Sequence, residues 1–459
     1  MKDHDAMTDL TPDTLFAPAN VWQSWLDVEV ALARAQADLG IIPGWAAEGI
    51  AAVARVSILG FDTLEAEAAR TRAPIHALTR VLSDRAGRAG DYVHWGATTQ
   101  NVMQTGRIML MRQSHGRLCL HMANAVARLA DLAETHSDTP MIGRTNRRHA
   151  LPISFGFKVA GWIEELNRAA DRLTAMERRV FVLPFGGAVG AMHAFEGRGL
   201  EINRHMAANL GLRELLVPGR AVNDIFADYT AQIALWATTV DRIARELYAM
   251  MAEEVGEVTE SLGTAVVGSS TMPHKVNPKQ VVHLIAMAAD LRSAVAPGME
   301  GALTINEGDS AANHLVVRVL DRVCPLAWTL SRGFDDLCTM IRPWPARMAE
   351  NLNNSGALSA SERLMMMIAR DLGHARAHDL LHDILSKPGS DRDVVAAKVA
   401  ALPDLHGRIS LEDARAALDP QTYLGDSLRI AQCGAALGRD LAGRLRETAA
   451  QSLAGRHVS

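Results

Sequence analysis

Between Pro218 and Pro273 the chain contains no proline. Within that window Ile233, Trp236, Val240, Ile243, Leu247 and Met250 follow spacings of 3, 4, 3, 4 and 3. Proline costs about 3 kcal/mol inside a helix, so a proline-free stretch with this period reads as the seam of a long bundle helix. Val255, Val258 and Leu262 continue the stripe after one slip. About thirty residues at 1.5 Å each reach roughly 45 Å, and a helix that long must pack along other long helices. Ser154 to Val180, Val281 to Ala296 and Arg117 to Thr135 are the further helix candidates. Aromatic residues are only 5% of the 459, while Ala, Leu, Val and Met abound, which favours helices over sheets.

The expected architecture is all-α and three-lobed. Residues 1–110 form an N-terminal helical lobe, 111–355 a central long-helix bundle, and 356–459 a small C-terminal helical lobe. Pro343 and Pro345 punctuate the end of the bundle. The formal net charge of −5, with no block of five basic residues, gives no nucleic-acid footprint. Four dispersed cysteines without a C-x-x-C pair suit free thiols in a reducing compartment. The charged Met1–Thr14 stretch has no apolar signal core, and no run of 18 apolar residues predicts a membrane span. A cytoplasmic protein is expected.

Residues Gly268-Ser269-Ser270-Thr271-Met272-Pro273-His274-Lys275-Val276-Asn277-Pro278 read as a loop, because two prolines, a glycine and paired serines exclude an ordinary helix. This stretch resembles the G-S-S-x-M-P-x-K-x-N-P signature of the fumarase/aspartase superfamily, with every defined position present. His94-Trp95-Gly96-Ala97-Thr98-Thr99-Gln100-Asn101 is similar to that family's first active-site segment. Gly143-Arg144-Thr145, with Ala150-Leu151-Pro152 and Phe155 to Trp162, is similar to its second. Ala417-Leu418-Asp419-Pro420 and Tyr423-Leu424-Gly425 resemble the carboxymuconate cycloisomerase branch, which lies close to adenylosuccinate lyase.

The resemblance implies a homotetramer with a twenty-helix core, each active site drawing its three segments from three subunits. It also implies a small di- or tricarboxylate substrate, and neither an organic cofactor nor a metal. The implied reaction is anti-elimination. A base removes a proton beside a carboxylate, the charge moves into an aci-carboxylate dianion, and the C–N or C–O bond at the next carbon breaks. Charge developing in this way calls for donors aimed at it. By resemblance Ser269 is the base, and Lys275 and Asn277 serve the dianion. His94, Thr98, Thr99, Gln100, Asn101, Arg144, Thr145, Asn146, Ser270 and Met272 bind substrate. A nucleophilic serine would want a G-x-S-x-G elbow, which is absent.

Departures from the pattern bear on the substrate. The lyases' histidine in G-R-T-H is Asn146 here, and His149, three residues on, is a candidate for its catalytic task. A surface histidine is the bland alternative. The first segment ends in Asn101 rather than aspartate. Asn306-Glu307-Gly308-Asp309-Ser310 stands where an H-E-R run is expected, and Val222-Asn223-Asp224 where a Q-R-D run is expected. The first reading is a lyase acting on a succinyl-type dicarboxylate and releasing fumarate or a related unsaturated diacid. A carboxymuconate-type cycloisomerase is the second reading. A structural protein that has lost activity is the alternative from another class, and intact Ser269, Lys275 and Asn277 oppose it. His374, His378 and His382 read as a solvated helix face, and Gly186 to Gly190 as a tight inter-helix loop rather than a phosphate loop.

Overall fold

The computed structural model describes residues 10–221, 223–261, 271–272, 275–354, 359–386 and 391–454. Six helices of more than 20 residues run through the described residues. Helix α1 (Pro18–Asp38) opens with proline in its first turn, where no backbone donor is needed. Helix α2 (Thr99–Thr135) has 37 residues and so runs about 55 Å. It starts well before the expected Arg117. Gly106 and Gly116 lower helix propensity but lie where other helices press close. A Cβ at 106 would stand 2.6 Å from the Ser24 Oγ of α1.

A hairpin then forms from strands β1 (Pro140–Thr145) and β2 (Arg148–Ser154). They pair antiparallel, with Thr145 opposite Arg148 and Arg144 opposite His149. The two loop residues, Asn146 and Arg147, both take positive φ (49° and 62°), as a type I′ turn demands. Helix α3 (Phe155–Val180) follows at once, with the Ser154 hydroxyl capping it by accepting the Phe157 N–H at 3.1 Å. Its start matches the boundary expected from sequence.

The period-derived helix is α4 (Asp224–Met250), and all six seam residues are buried. It stops at Met250, so its expected extension is corrected. Val255 lies in a turn, Val258 enters strand β3 (Val258–Glu260), and Leu262 lies outside the described residues. The turn that follows is tied from far along the chain. Arg347 donates to the carbonyls of Glu254 and Val255, and Asn351 donates to Val255, in place of helical N–H groups. Gly256 takes φ +62° to complete the turn.

The next expected helix is broken at Ala294, giving α5 (Gln280–Ser293) and a short helix, Val295–Glu300. Helix α6 (Ser310–Met340) is capped by Asp309, whose carboxylate accepts from the N–H groups of Ala311 and Ala312. It leads into strand β4 (Ile341–Pro343), which pairs antiparallel with β3.

The C-terminal part divides. Leu364, Ile368, Leu381, Val395, Val399, Leu405 and Leu418 form a small core of their own. The last helix, α7 (Ser427–Leu453), returns to pack on α2 and α3, and Ala435, Leu441, Leu445 and Ala449 join the main core. At this crossing Gly434 meets Ala160 so closely that a Cβ would stand 2.4 Å away. The expected lobe from residue 356 onward is therefore a small domain plus a bundle helix.

Candidate active site

The first segment is held by α1. The Glu29 carboxylate, 2% exposed, accepts the His94 backbone N–H at 3.1 Å and lies 2.6 Å from His94 Nδ1. Two turns on, Gln36 Nε2 donates to the Trp95 carbonyl at 2.8 Å. His94 sits at φ +59°, an uncommon conformation for a residue with a side chain, and Glu29 grips it at both backbone and ring. Nε2 is the ring nitrogen left for a ligand. Burial alone would lower the His94 pKa, but the hydrogen bond and charge of Glu29 outweigh it and raise the pKa above the usual value. Sequence reading missed Glu29. Its signal was a carboxylate at a seam position of α1, between Trp25 and Ala33 in the buried stripe.

This pair has a pH signature. A raised folded-state pKa adds stability that is fully present below the unfolded value, about 6.5, and is lost as pH rises through the folded value. Urea unfolding of the native chain across pH 5–9 is expected to show that loss, and Glu29→Gln is expected to flatten it.

Thr98 and Thr99 stand at the start of α2, Thr98 half-buried and Thr99 exposed. Gln100 and Asn101, expected to touch substrate, turn inward. Gln100 donates to the Arg220 carbonyl at 2.9 Å and accepts from the Arg220 guanidinium at 2.7 Å and 3.2 Å. Asn101, fully buried, donates to Pro184 O and accepts from Gly187 N. Both amides brace loops, because the glycine-rich 186–190 turn and Arg220 pack against the first turn of α2.

The hairpin carries the second segment. Thr145, Asn146 and His149 are exposed around its turn. Arg144, expected on substrate, forks onto Glu257, with Nη1 to Oε2 at 2.8 Å and Nη2 to Oε1 at 2.7 Å. Glu257 is fully buried and also accepts from Asn351 Nδ2 at 2.9 Å. Its charge neutralises the guanidinium, so Arg144 holds the hairpin against the approach to β3. The His149 pKa is lowered by burial and by the nearby charges of Arg144 and Arg148, against the opposing pull of Glu257, which favours neutral imidazole.

Ser269 and Ser270 lie outside the described residues. Met272 and Lys275 are exposed, and Lys275 N donates to Met272 O at 3.0 Å, while Asn277 is half-buried. One carboxylate joins the end of β3 to the residues that follow the signature. Glu260, at the end of β3, accepts from the N–H groups of Lys279 (2.8 Å), Gln280 (3.1 Å) and Val281 (2.7 Å). Those are the unsatisfied donors that open α5, where a negative charge is favoured. Glu257 and Glu260 escaped the sequence reading, which had absorbed their neighbour Val258 into a helix.

The structure thus groups the second segment with β3 and the start of α5, which flank the signature in sequence, through Arg144, Glu257 and Glu260. The first segment lies elsewhere. It opens α2, and the hairpin follows the other end of that helix, about 55 Å away.

This chain belongs to the fumarase/aspartase superfamily. A family model described as "Lyase" matches residues 2–292. Among curated proteins the chain is 33% identical over 433 residues to adenylosuccinate lyase of Methanothermobacter thermautotrophicus, covering 92% of this chain and 95% of that one. It is 31% identical to N-acetyl-S-(2-succino)cysteine lyase of Dickeya dadantii, covering 88% of each. It is 30% identical to 3-carboxy-cis,cis-muconate cycloisomerase of Pseudomonas aeruginosa, covering 90% of this chain and 91% of that one. Among solved structures, fumarate lyase from Mesorhizobium sp. BNC1 superimposes with a TM-score of 0.84 at 30% identity, over 93% of this chain and 97% of that one. The chain is an enzyme of this superfamily.

Proposed function

We propose that the chain is a lyase that eliminates fumarate, or a related unsaturated diacid, from a succinyl-type dicarboxylate by breaking a bond from carbon to a heteroatom. The carrying observation is the intact signature from Gly268 to Pro278, with Ser269, Lys275 and Asn277 in it. The names of two similar curated proteins, adenylosuccinate lyase and N-acetyl-S-(2-succino)cysteine lyase, both specify a succinyl group and support the reading.

In this reading Ser269 takes the proton from the carbon beside a carboxylate. The electron pair moves into that carboxylate, and Lys275 and Asn277 stabilise the resulting dianion. The pair then forms the new double bond as the bond to the leaving group breaks. Thr98, Thr99, Thr145, Asn146, Ser270 and Met272 hold the substrate. His94 suits the role of acid toward the leaving group, since Glu29 keeps its pKa raised. His149, with its lowered pKa, is the second candidate for the leaving group's proton.

The separation of the first and second segments supports a site assembled from several copies, and we assign the chain to a homotetramer. The apolar stretch Gln280–Glu300 supports this too. It is long and apolar enough to cross a membrane by length and composition, yet only 33% of its 18 most apolar consecutive residues are buried in the protomer.

The second reading is lactonisation in the manner of a carboxymuconate cycloisomerase, supported by the tail motif around Pro420 and Tyr423 and by the Pseudomonas relative. An ultraviolet time course with 3-carboxy-cis,cis-muconate separates the two. The elimination reading expects the diene absorbance to persist. Its loss, abolished in Ser269→Ala, would establish the second reading instead.

A further inference from the structure

Helix α2 carries a second group of reactive side chains, about 24 Å along its axis from Thr99. His115 and Cys119 stand one turn apart on its buried face, and Glu177 of α3 reaches across to them. His115 Nε2 lies 2.8 Å from Glu177 Oε1 and 3.5 Å from Cys119 Sγ. The three ligand atoms all lie within 4.8 Å of one another. One ring nitrogen thus faces two electron-rich groups with at most one proton to share. His115 Nδ1 has no hydrogen-bond partner, so these two groups alone set the hydrogen bonding of the ring. Among the described residues this is the one convergent His/Cys/carboxylate set.

We propose that His115, Cys119 and Glu177 form a binding site for a zinc-type divalent cation that staples α2 to α3. Thiolate, imidazole and carboxylate are the donor types zinc takes, whereas magnesium and calcium want oxygen alone. The spacing fits as well. With Zn–S near 2.3 Å and Zn–N near 2.0–2.1 Å, the S···N edge of a tetrahedron is about 3.5 Å. That equals the observed 3.5 Å separation. The Glu177 oxygen needs to withdraw by about 0.5 Å to reach its own tetrahedral edge. Its side chain is 22% exposed, which supplies both the freedom to move and a route from solvent. The metal takes Cys119 as thiolate and His115 through an unprotonated Nε2, and the protons it displaces pass to solvent. The staple is independent of the elimination chemistry.

Cobalt(II) titration of the full chain tests the proposal. The native protein is expected to take up one cobalt per chain, with a near-ultraviolet thiolate-to-cobalt band and visible bands of tetrahedral strength. Zinc is expected to displace it and to raise the melting temperature. Cys119→Ser is expected to lose the thiolate band, and Glu177→Gln to weaken binding by about tenfold or more, the loss usual even for an outer partner. Cys433→Ser, which removes the exposed thiol, is expected to keep the band. Absence of the band in the native chain, its survival in Cys119→Ser, or its loss in Cys433→Ser would overturn the proposal. If Cys119→Ser does not fold, unchanged affinity in Glu177→Gln overturns it equally.

Discussion

Ser269→Ala is expected to lower kcat by about a thousandfold, within the range attributed to a positioned proton-transfer group. The expectation rests on chemistry. Removing a proton from carbon beside a carboxylate is the hard step, and alanine offers no oxygen to take it. Lys275 and Asn277 would still bind the carboxylate, so KM is expected to change little. A fall in kcat with KM preserved is the mark of an interaction made only in the transition state. Steady-state kinetics on whichever succinyl substrate turns over checks this. A rise in KM with kcat intact would make Ser269 a binding group instead.

Glu257→Ala is expected to cost about 3–5 kcal/mol of stability, the range for removing one partner of a buried ion pair. Glu257 is fully buried, and its two oxygens satisfy the Arg144 fork and the Asn351 amide. Alanine leaves the guanidinium, 23% exposed, without its counter-charge and the amide one bond short. Replacing both partners, as Arg144→Met with Glu257→Leu, is expected to recover most of the loss, because it leaves no uncompensated charge. Urea denaturation of the single and double variants checks this. A single variant within about 1 kcal/mol of the native chain would show the pair to be no stronger than an exposed one.

How much was legible in the sequence depended on whether the cause was local. The α4 seam from Ile233 to Met250 and the span of α3 were readable, because a period of 3 and 4 and the proline-free run between Pro152 and Pro184 are local signals. The end of α4 was not, because the turn after it closes on partners brought from far along the chain, Arg347 and Asn351 on the Val255 carbonyl. The β1–β2 hairpin was missed for a related reason. Its turn is Asn146-Arg147 rather than the usual Asn-Gly, and β1 contains a glycine that weakens any strand signal. Helix α7 looked like part of a separate lobe, since only the fold shows Gly434 and Gly438 seated on α3 and α2.

The site divided in the same way. The signature loop and both flanking segments stood out by residue type and order. What those residues lean on did not. Glu29, Glu257 and Glu260 are acids with ordinary neighbours in sequence, and their work appears only when His94, Arg144 and the start of α5 are brought to them. Gln100, Asn101 and Arg144 show the reverse case. Motif position placed them on substrate, while packing gives each a partner within the protomer.

The central claim is elimination from a succinyl group with Ser269 as base. Its most direct test is fumarate release from a panel of N-, O- and S-substituted succinates, adenylosuccinate and N-acetyl-S-(2-succino)cysteine among them, with native protein and Ser269→Ala side by side. The account predicts fumarate from at least one member with the native protein and none above background with the variant. Release that persists undiminished in Ser269→Ala, or no release from any member while 3-carboxy-cis,cis-muconate is consumed, would contradict it.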